Sequence, residues 1–565
     1  MASVVIQGDV SGSVTLQAPS SAGSVTVTLP GTSGTMAVTG GSPTFTDLTV
    51  TNGASIQGLT VGRGAGADSG TTVVGAGALA GSNTGANNTA IGKNVLAANT
   101  SGAQNNALGY AALTANTTGA DNTAMGHTAL YSNTTGGQNT AFGRDSLRSN
   151  TTASNNTAVG YQAAYGNTTG DLNTAIGRLA LYTNSTGTSN SALGSGAMSN
   201  NTTGGYNVGI GRDALASNTT ASYSTAVGGE ALYSNTTGTS NTAMGVNALY
   251  ANTTGGYSVA MGRGALQNNT TASYNTAVGY QAGYANTTAQ ITAVGAQALL
   301  ANTTGAHNAA LGFQALSFNT TGNYNVAIGN FDSTGYAVMN LNTTGSSNTA
   351  VGAGSLARNT TGSNHTAVGY QALYNNTGGA QGSTALGYTA GSNLTSGTNG
   401  VFIGSNAQPN AATDTNELVI GTPNTTGKGS NTGFIVAYNG STYGGIYQGN
   451  NSASWSTTSD QRLKKNIVDN NDGLVKINAI RVRNFEYRLP EEVDAELKPI
   501  DAVKKSGVQL GVIAQELQQV LPDCVKQEST GVLSVDPDNL TWYLVNAVKQ
   551  LSAEVESLKS QLKGA

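Results

Sequence analysis

Residues 459–467 read Ser-Asp-Gln-Arg-Leu-Lys-Lys-Asn-Ile, which places a hydroxyl, Ser459, five residues before an amine, Lys464. A serine hydroxyl is a weak nucleophile until a base takes its proton. A free lysine has a pKa of about 10.4 and is neutral about once in a few thousand molecules at pH 7. Burial, or the charges of Arg462 and Lys465, must depress that value before the amine can act as a base. Residues five apart lie about 140° apart on a helix and on opposite faces of a strand. The two groups therefore meet only across a bend, or between chains. A serine five before a lysine is common by chance, so the pair gains weight only from its surroundings. It sits where the chain changes character, which suggests a bond built to be cut once.

The change is one of composition. The chain has 565 residues, and only 9% are charged, against about 25% in ordinary globular chains. From Asp460 onward lie 30 of the 50 charged residues, 14 basic and 16 acidic; the preceding 459 residues hold 20. The net charge of −4 leaves no electrostatic footprint for nucleic acid. The lone cysteine, Cys524, excludes an intrachain disulfide and a cysteine metal cage, and reads as a small buried hydrophobe. No apolar run reaches the ~18 residues of a membrane span, and the N-terminus lacks a basic start followed by an apolar stretch. The expectation is a protein made in a cytoplasm that inserts in no membrane.

The low-charge part is a repeat. Gly75, Gly92, Gly109, Gly126 and their successors to Gly279 are 17 apart, and the series continues with small slips through Gly295, Gly312, Gly329, Gly352, Gly369, Gly387 and Gly404, giving 20 units. The consensus is Asn-Thr-Ala-Val-Gly-Tyr-x-Ala-Leu-x-x-Asn-Thr-Thr-Gly-x-x. A six-residue insertion sits around Phe331 to Tyr336. Each unit carries two apolar anchors. One precedes the glycine (Ile91, Leu108, Met125, Phe142, Val159, Ile176) and one follows it by four (Leu113, Leu130, Leu147, Leu181, Leu215, Leu249). Asn-Thr-Thr-Gly supplies turn chemistry. A unit this short fits two short strands and two turns, hence a β-solenoid or β-roll. Burying two anchors stabilises by about 1.5–3 kcal/mol each, whereas ordering each residue costs about 1–2 kcal/mol. On that count one chain is marginal, and partner chains are expected to supply the balance. The unit core Asn-Thr-Ala-Val-Gly resembles the head repeats of trimeric autotransporter adhesins, which implies parallel β-rolls side by side in a trimer.

Flanking the repeat, residues 1–70 alternate in strand fashion (Val14 to Gln17, Val25 to Leu29, Phe45 to Val61) and, by elimination, form the attachment end. In the 405–458 segment Tyr438, Tyr443, Tyr447 and Trp455 cluster where the repeat stops. They are candidates for receptor contact or for a capping element. Acids in the 71–404 shaft (Asp121, Asp145, Asp171, Asp213, Glu230) are scattered and form no glycosidase pair. His127, His307 and His365 occupy three different repeat positions, so no metal site is expected, and no cofactor.

After Trp455 a helix is predicted near Leu474 to Ile480, then a strand ending near Tyr487. A strand turning into a helix is predicted over Val508 to Gln518, closed by Pro522. Over 539–563, Leu544, Leu551 and Leu558 alternate with Val548, Val555 and Leu562 in heptads, an arrangement that favours two strands in isolated coiled coils. Ser459-Asp460-x-Arg462-Leu463-Lys464-x-Asn466-Ile467, then Gly511-Val512-Ile513-Ala514-Gln515-Glu516-Leu517 with Pro522 following, then the leucine-rich terminal helix, resemble the intramolecular chaperone domain of endosialidases and phage tail fibres, the S74 peptidase family. The resemblance implies a domain over 459–565 that trimerises, templates the upstream β-fibre and then cuts itself off. It implies Ser459 as nucleophile, Lys464 as base and Thr458–Ser459 as the scissile bond, with Asp460, Arg462, Asn466, Gln515 and Glu516 supporting the motif. Ser459 would attack the adjoining carbonyl at high effective concentration. The fold class expected is mainly β: an elongated, trimeric β-roll or β-solenoid-like fibre with a C-terminal α+β chaperone domain ending in a short coiled coil. The function expected is a viral tail fibre or host-surface adhesin, located in a bacteriophage virion. Its partners would be two further copies, tail or baseplate proteins at the N-terminal end, and a host polysaccharide or protein receptor. A glycan-degrading tailspike and a non-viral repeat adhesin are the alternatives.

Overall fold

Alanine sits at the centre of most three-residue strands of this chain, and that parity organises the whole repeat. The computed structural model describes residues 54–56, 59–62, 70–379, 381–421, 423–438, 443–448, 461–489, 491–492, 506–527 and 532–564. The strands read at 14–29 and 45–50 lie outside the described residues. The chain divides into two units, 1–456 and 457–565.

In the first unit each 17-residue coil contributes one strand. Thr174–Ile176 pairs in parallel with Thr157–Val159 before it and Ser191–Leu193 after it, equivalent residues opposite one another. The ladder runs from Thr72–Val74 to Gly433–Tyr438, past the last ruler glycine, Gly404. At about 4.8 Å per coil the stack is about 100 Å long. The hairpin Gly433–Tyr438 and Tyr443–Gln448 closes it, and an antiparallel pair, Ala54–Ile56 with Leu59–Gly62, joins the first coil.

One strand per coil replaces the two expected. After the glycine, the second and fourth residues adopt left-handed backbone, as at Leu179 (φ 59°) and Leu181 (φ 50°), and curl the segment that the sequence reading made a second strand. Left-handed backbone costs an L-residue about 1–2 kcal/mol. Burying a leucine stabilises by about 1.5–3 kcal/mol, so the strained position holds when its side chain fills the core. Leu181 is fully buried with Ala175 and Ala180. The ruler glycine has its own reason: Gly177 has φ 134°, and a Cβ there would lie 2.5 Å from the carbonyl oxygen of Gly194 one coil on.

The two anchors part company. The leucine after the glycine is inside. The residue before it is outside, because strand side chains alternate and the preceding alanine points inward. Most of the larger members are exposed, from 37% at Met125 to 55% at Phe142, while the valines of the row, such as Val159 and Val227, are half-buried.

What the second anchor does not supply, asparagine does. The first Asn of Asn-Thr-Thr-Gly is buried in coil after coil rather than exposed in a turn. The Nδ2 of Asn201 donates to Asn184 Oδ1 (2.7 Å) and to the Gly204 carbonyl (2.9 Å), and Asn218 Nδ2 donates to Asn201 Oδ1 (2.7 Å). A second ladder runs through Asn173 and Asn190, where Asn190 N donates to Asn173 Oδ1 (3.0 Å). The following hydroxyl joins in: Ser185 Oγ donates to the Thr202 carbonyl (3.0 Å). In-register stacking lets identical amides satisfy one another. Within a single chain the buried amides of the core thus satisfy one another. The insertion loops out and is tied down by Asp332, which accepts from Thr334 N (2.9 Å), Tyr336 N (3.0 Å) and Gln371 Nε2 (2.8 Å).

The second unit is α+β. It contains α1 (Leu474–Asn478), α2 (Ala514–Val520) and α3 (Pro537–Lys563), with antiparallel pairs Arg483–Phe485/Gln509–Gly511 and Val525–Gln527/Leu533–Val535. Leu517, Leu521, Cys524 and Tyr543 form its core, and burial, with Asp523 and Asp536 nearby, raises the Cys524 thiol pKa.

Candidate functional site

Arg462, Lys464 and Asn466 of the motif lie on the first described stretch of the second unit. Arg462 is in the 3-10 turn Gln461–Leu463, and the backbone N of Lys464 donates to the Gln461 carbonyl (3.0 Å), closing that turn. Asn466 takes left-handed backbone, φ 54°, so the chain bends just after the lysine. Lys464 is exposed within a single chain. Thr458, Ser459 and Asp460 lie outside the described residues, as does Trp455.

The second motif falls on α2. Gln515 is exposed. Glu516 instead reaches the strand Arg483–Phe485, where Arg483 grips it with two bonds (Nη2–Oε1 2.7 Å, Nε–Oε2 3.2 Å) and Arg481 stands 3.8 Å away. The hydrogen bond from Arg483 lowers the Glu516 carboxyl pKa, and the same bond raises that of the guanidinium. Glu516 thus ties α2 to the strand Arg483–Phe485.

Two amides that sequence reasoning passed over tie the segment after the motif to the terminal helix. Asn546 Nδ2 donates to the carbonyls of Asn470 (2.7 Å) and Asp472 (3.1 Å). Gln550 Nε2 donates to the Asn471 carbonyl (2.6 Å), and its Oε1 accepts from Leu474 N (2.6 Å). Gly473 lets the backbones approach, since a Cβ would lie 2.7 Å from Ala547 N. The available signal was a pair of amides four apart on one helix face, off the heptad seam. Tyr543 Oη donates to Asp523 (2.7 Å) on the same side. The seam itself, Leu544, Val548, Leu551, Val555, Leu558 and Leu562, is 40–80% exposed.

Residues 459–526 match the sequence model of a protein family described as chaperone of endosialidase. The second unit therefore carries a chaperone-of-endosialidase domain. The match ends before α3, whose seam residues and clamp amides lie beyond it. Together with the solenoid of 17-residue repeats, this chaperone domain fits a protein of the tail-fibre or tailspike type.

In the first unit the hairpin sets Tyr438 opposite Tyr443 and Phe434 opposite Tyr447. Nearby, Glu417 is buried and accepts from Gly429 N (2.6 Å) and Asn410 N (3.3 Å). Four of the five shaft acids named above, all but Asp121, are engaged locally. Asp145 takes Thr128 Oγ1 (2.5 Å) with Arg144 (3.3 Å) and Arg148 (3.6 Å) beside it; Arg212 holds Asp213 and Glu230; Asp171 accepts from Ser154 N (2.6 Å). His127 stacks on Tyr110 and His307 on Tyr324, while His365 replaces an asparagine in the second ladder, accepting from Ser383 N (3.3 Å). Among the described residues no group of three or more His, Cys, Asp or Glu is placed to hold a metal, and no helix is long and apolar enough to cross a membrane.

Proposed function

We propose that this chain is the shaft of a bacteriophage tail fibre that assembles as a homotrimer under its C-terminal chaperone domain and then severs that domain before Ser459. The observation that carries the reading is a pair of unpartnered apolar surfaces, one in each unit. The row before the ruler glycines runs the length of the solenoid, and the seam of α3 runs the length of the helix. Apolar surface on this scale marks association sites, and a repeated row is self-complementary along its whole length. In this reading α3 gathers the chains first and the solenoids zip along their rows.

Ser459 Oγ attacks the Thr458 carbonyl while Lys464 takes the hydroxyl proton and passes it to the departing Ser459 amine, which leaves the Thr458 acyl group as an ester on Ser459 Oγ. Water then hydrolyses that ester, freeing a Thr458 carboxylate and restoring the Ser459 hydroxyl. Lys464 is exposed in one chain, so the desolvation that would make it a base is supplied on assembly, and cleavage then reports a completed trimer. The N-terminal end joins the virion tail, and the distal tyrosines meet a host-surface receptor. Local pairing of Asp145, Asp171, Asp213 and Glu230 leaves Asp121 without a second carboxylate free to act with it, which favours a structural over a glycan-degrading shaft.

Light scattering and intact mass of the purified protein test both halves. A trimer lacking 459–565 is expected from the natural sequence, and a full-length trimer from Ser459→Ala and from Lys464→Ala. Leu193→Lys with Ile210→Lys is expected to give monomers or aggregates. Cleavage of Lys464→Ala at the natural rate would overturn the dyad, and a monodisperse monomer of the natural protein would overturn the assembly.

A further inference from the structure

The row five residues before the ruler glycine carries exposed aromatic side chains over the middle of the shaft: Tyr206, Tyr223, Tyr257, Tyr274, His307 and Tyr324. Adjacent members stack face to face, Tyr257 on Tyr274 at 5.2 Å and 6°, His307 on Tyr324 at 5.0 Å and 21°. Between Tyr274 and His307 the glycine step, from Gly279 to Gly295, is 16 residues instead of 17. Hydrogen bonding identifies which residue is missing. Tyr274 N donates to the Gly256 carbonyl and Tyr324 N to that of Ala306, each 18 residues back, whereas His307 N donates to the Gln290 carbonyl (2.7 Å), 17 back. Ile291 holds the next position, its N donating to Asn275 Oδ1 (2.7 Å) and its Cα opposite Asn308. Gln290, although five residues before Gly295, thus takes the place of Gly256 and Ala306 and is followed directly by the ladder position, so this coil skips the aromatic row.

The skipped residue leaves a notch of about 230 Å³ whose walls include Tyr274, His307, Gln290, Ile291 and Thr292. Two coil spacings set its walls about 10 Å apart. That is room for one further ring at the ~5 Å spacing of stacked rings. Tyr274 is backed by Tyr257 and His307 by Tyr324, so each wall is braced and turns its free face to the gap. Ile291 is buried at the floor, while Gln290 and Thr292 are exposed.

We propose that this notch binds a single pyranose ring of a glycan. A pyranose has two C–H-lined faces for the aromatic walls and a rim of hydroxyls for the Gln290 amide and the Thr292 hydroxyl. A flat aromatic side chain would leave those polar groups unmatched. The site deepens the surface-binding part of the proposed function and places sugar contact in the shaft, away from the distal hairpin.

Saturation-transfer NMR on the full chain, with methyl glycosides of glucose, galactose, mannose and N-acetylglucosamine and with phenol as the flat-ring probe, tests it. At least one glycoside is expected to receive saturation on its ring C–H protons. Its affinity should fall at least tenfold in Tyr274→Ala and in His307→Ala. It should also fall when a tyrosine is inserted between Gln290 and Ile291, which restores the 17-residue step and fills the notch without removing either wall. Saturation of phenol alone, of none of the probes, or of a glycoside equally in all variants overturns the proposal. Mass and light scattering on the same samples keep this failure separate from a failure of assembly or cleavage.

Discussion

Replacing Asn201 with alanine tests whether the buried amides, rather than partner chains, hold the coils in register. The substitution removes a donor to Asn184 Oδ1 and an acceptor for Asn218 Nδ2, both inside the core. The Gly204 carbonyl also loses a bond but keeps one from Asn190 Nδ2 (2.9 Å). Asn218 Nδ2 keeps its bond to the Ala221 carbonyl (3.0 Å). What is left unmatched is the Asn184 amide oxygen and one of the two Asn218 amide hydrogens, at about 1–3 kcal/mol each, so the local loss is about 2–6 kcal/mol. The lower end applies where a water enters the vacated space and bonds both neighbours. Because a solenoid is stabilised coil by coil and need not unfold in one step, the assay is hydrogen exchange resolved to peptides spanning 184–221. Tenfold per 1.4 kcal/mol converts the loss to a rise in opening of about 30-fold to about 10⁴-fold. The comparison is Asn200→Ala, whose side chain is exposed and whose backbone N–H alone is engaged, with Ala216; it is expected within about 0.5 kcal/mol of the natural protein. Equal protection of the two variants, at equal oligomer mass, would refute the amide-ladder account.

Gly211→Ala, at φ 131° with the new Cβ 2.5 Å from the Gly228 carbonyl, is expected to lose about 1–3 kcal/mol to backbone strain plus a similar overpacking loss, whereas Gly229→Ala, with nothing within 4 Å, stays neutral in the same exchange assay. Leu181→Ala removes a fully buried side chain and is expected to destabilise its coil by about 2–5 kcal/mol; Leu193→Ala, on the outer row, is expected to lower the melting temperature of the oligomer instead. Burial raises the Glu417 carboxyl pKa above 4.5 against the pull of the Gly429 and Asn410 N–H groups, so the folded state binds that proton more readily than the unfolded chain. Its contribution is full below pH 4.5 and is lost as pH rises through the raised folded value; exchange corrected for intrinsic rate is expected to show stronger protection over 408–432 at pH 5 than at pH 7, and Glu417→Gln to abolish the difference. Asn546→Ala combined with Gln550→Ala frees residues 470–474 from α3, and is expected to slow release of the C-terminal fragment on a mass time course without changing the oligomer mass. An unchanged rate would detach the clamp from the cleavage site.

The repeat period, the place of its glycines, the terminal helix and the chaperone-domain motifs were legible because each is fixed by local chemistry. A glycine at φ near 134° admits no side chain, heptads declare themselves by spacing, and the order of the Ser459–Ile467 and Gly511–Leu517 motifs is a property of the string. Cys524 as a buried thiol was legible for the same kind of reason. The Glu516–Arg483 pair and the Asn546 and Gln550 clamp were not, since their partners stand 33 and 74–79 residues away.

By itself, then, the sequence determined a stack of equal coils ending in a chaperone domain and a helix with an apolar seam. Only the tertiary structure decided which of the two apolar rows lies inside, because a three-residue strand has two possible parities and the choice belongs to the left-handed turn that follows it. The same choice sends the asparagines inward. A residue that is turn chemistry in isolation becomes core when its copies stand one coil above and below and can satisfy its amide.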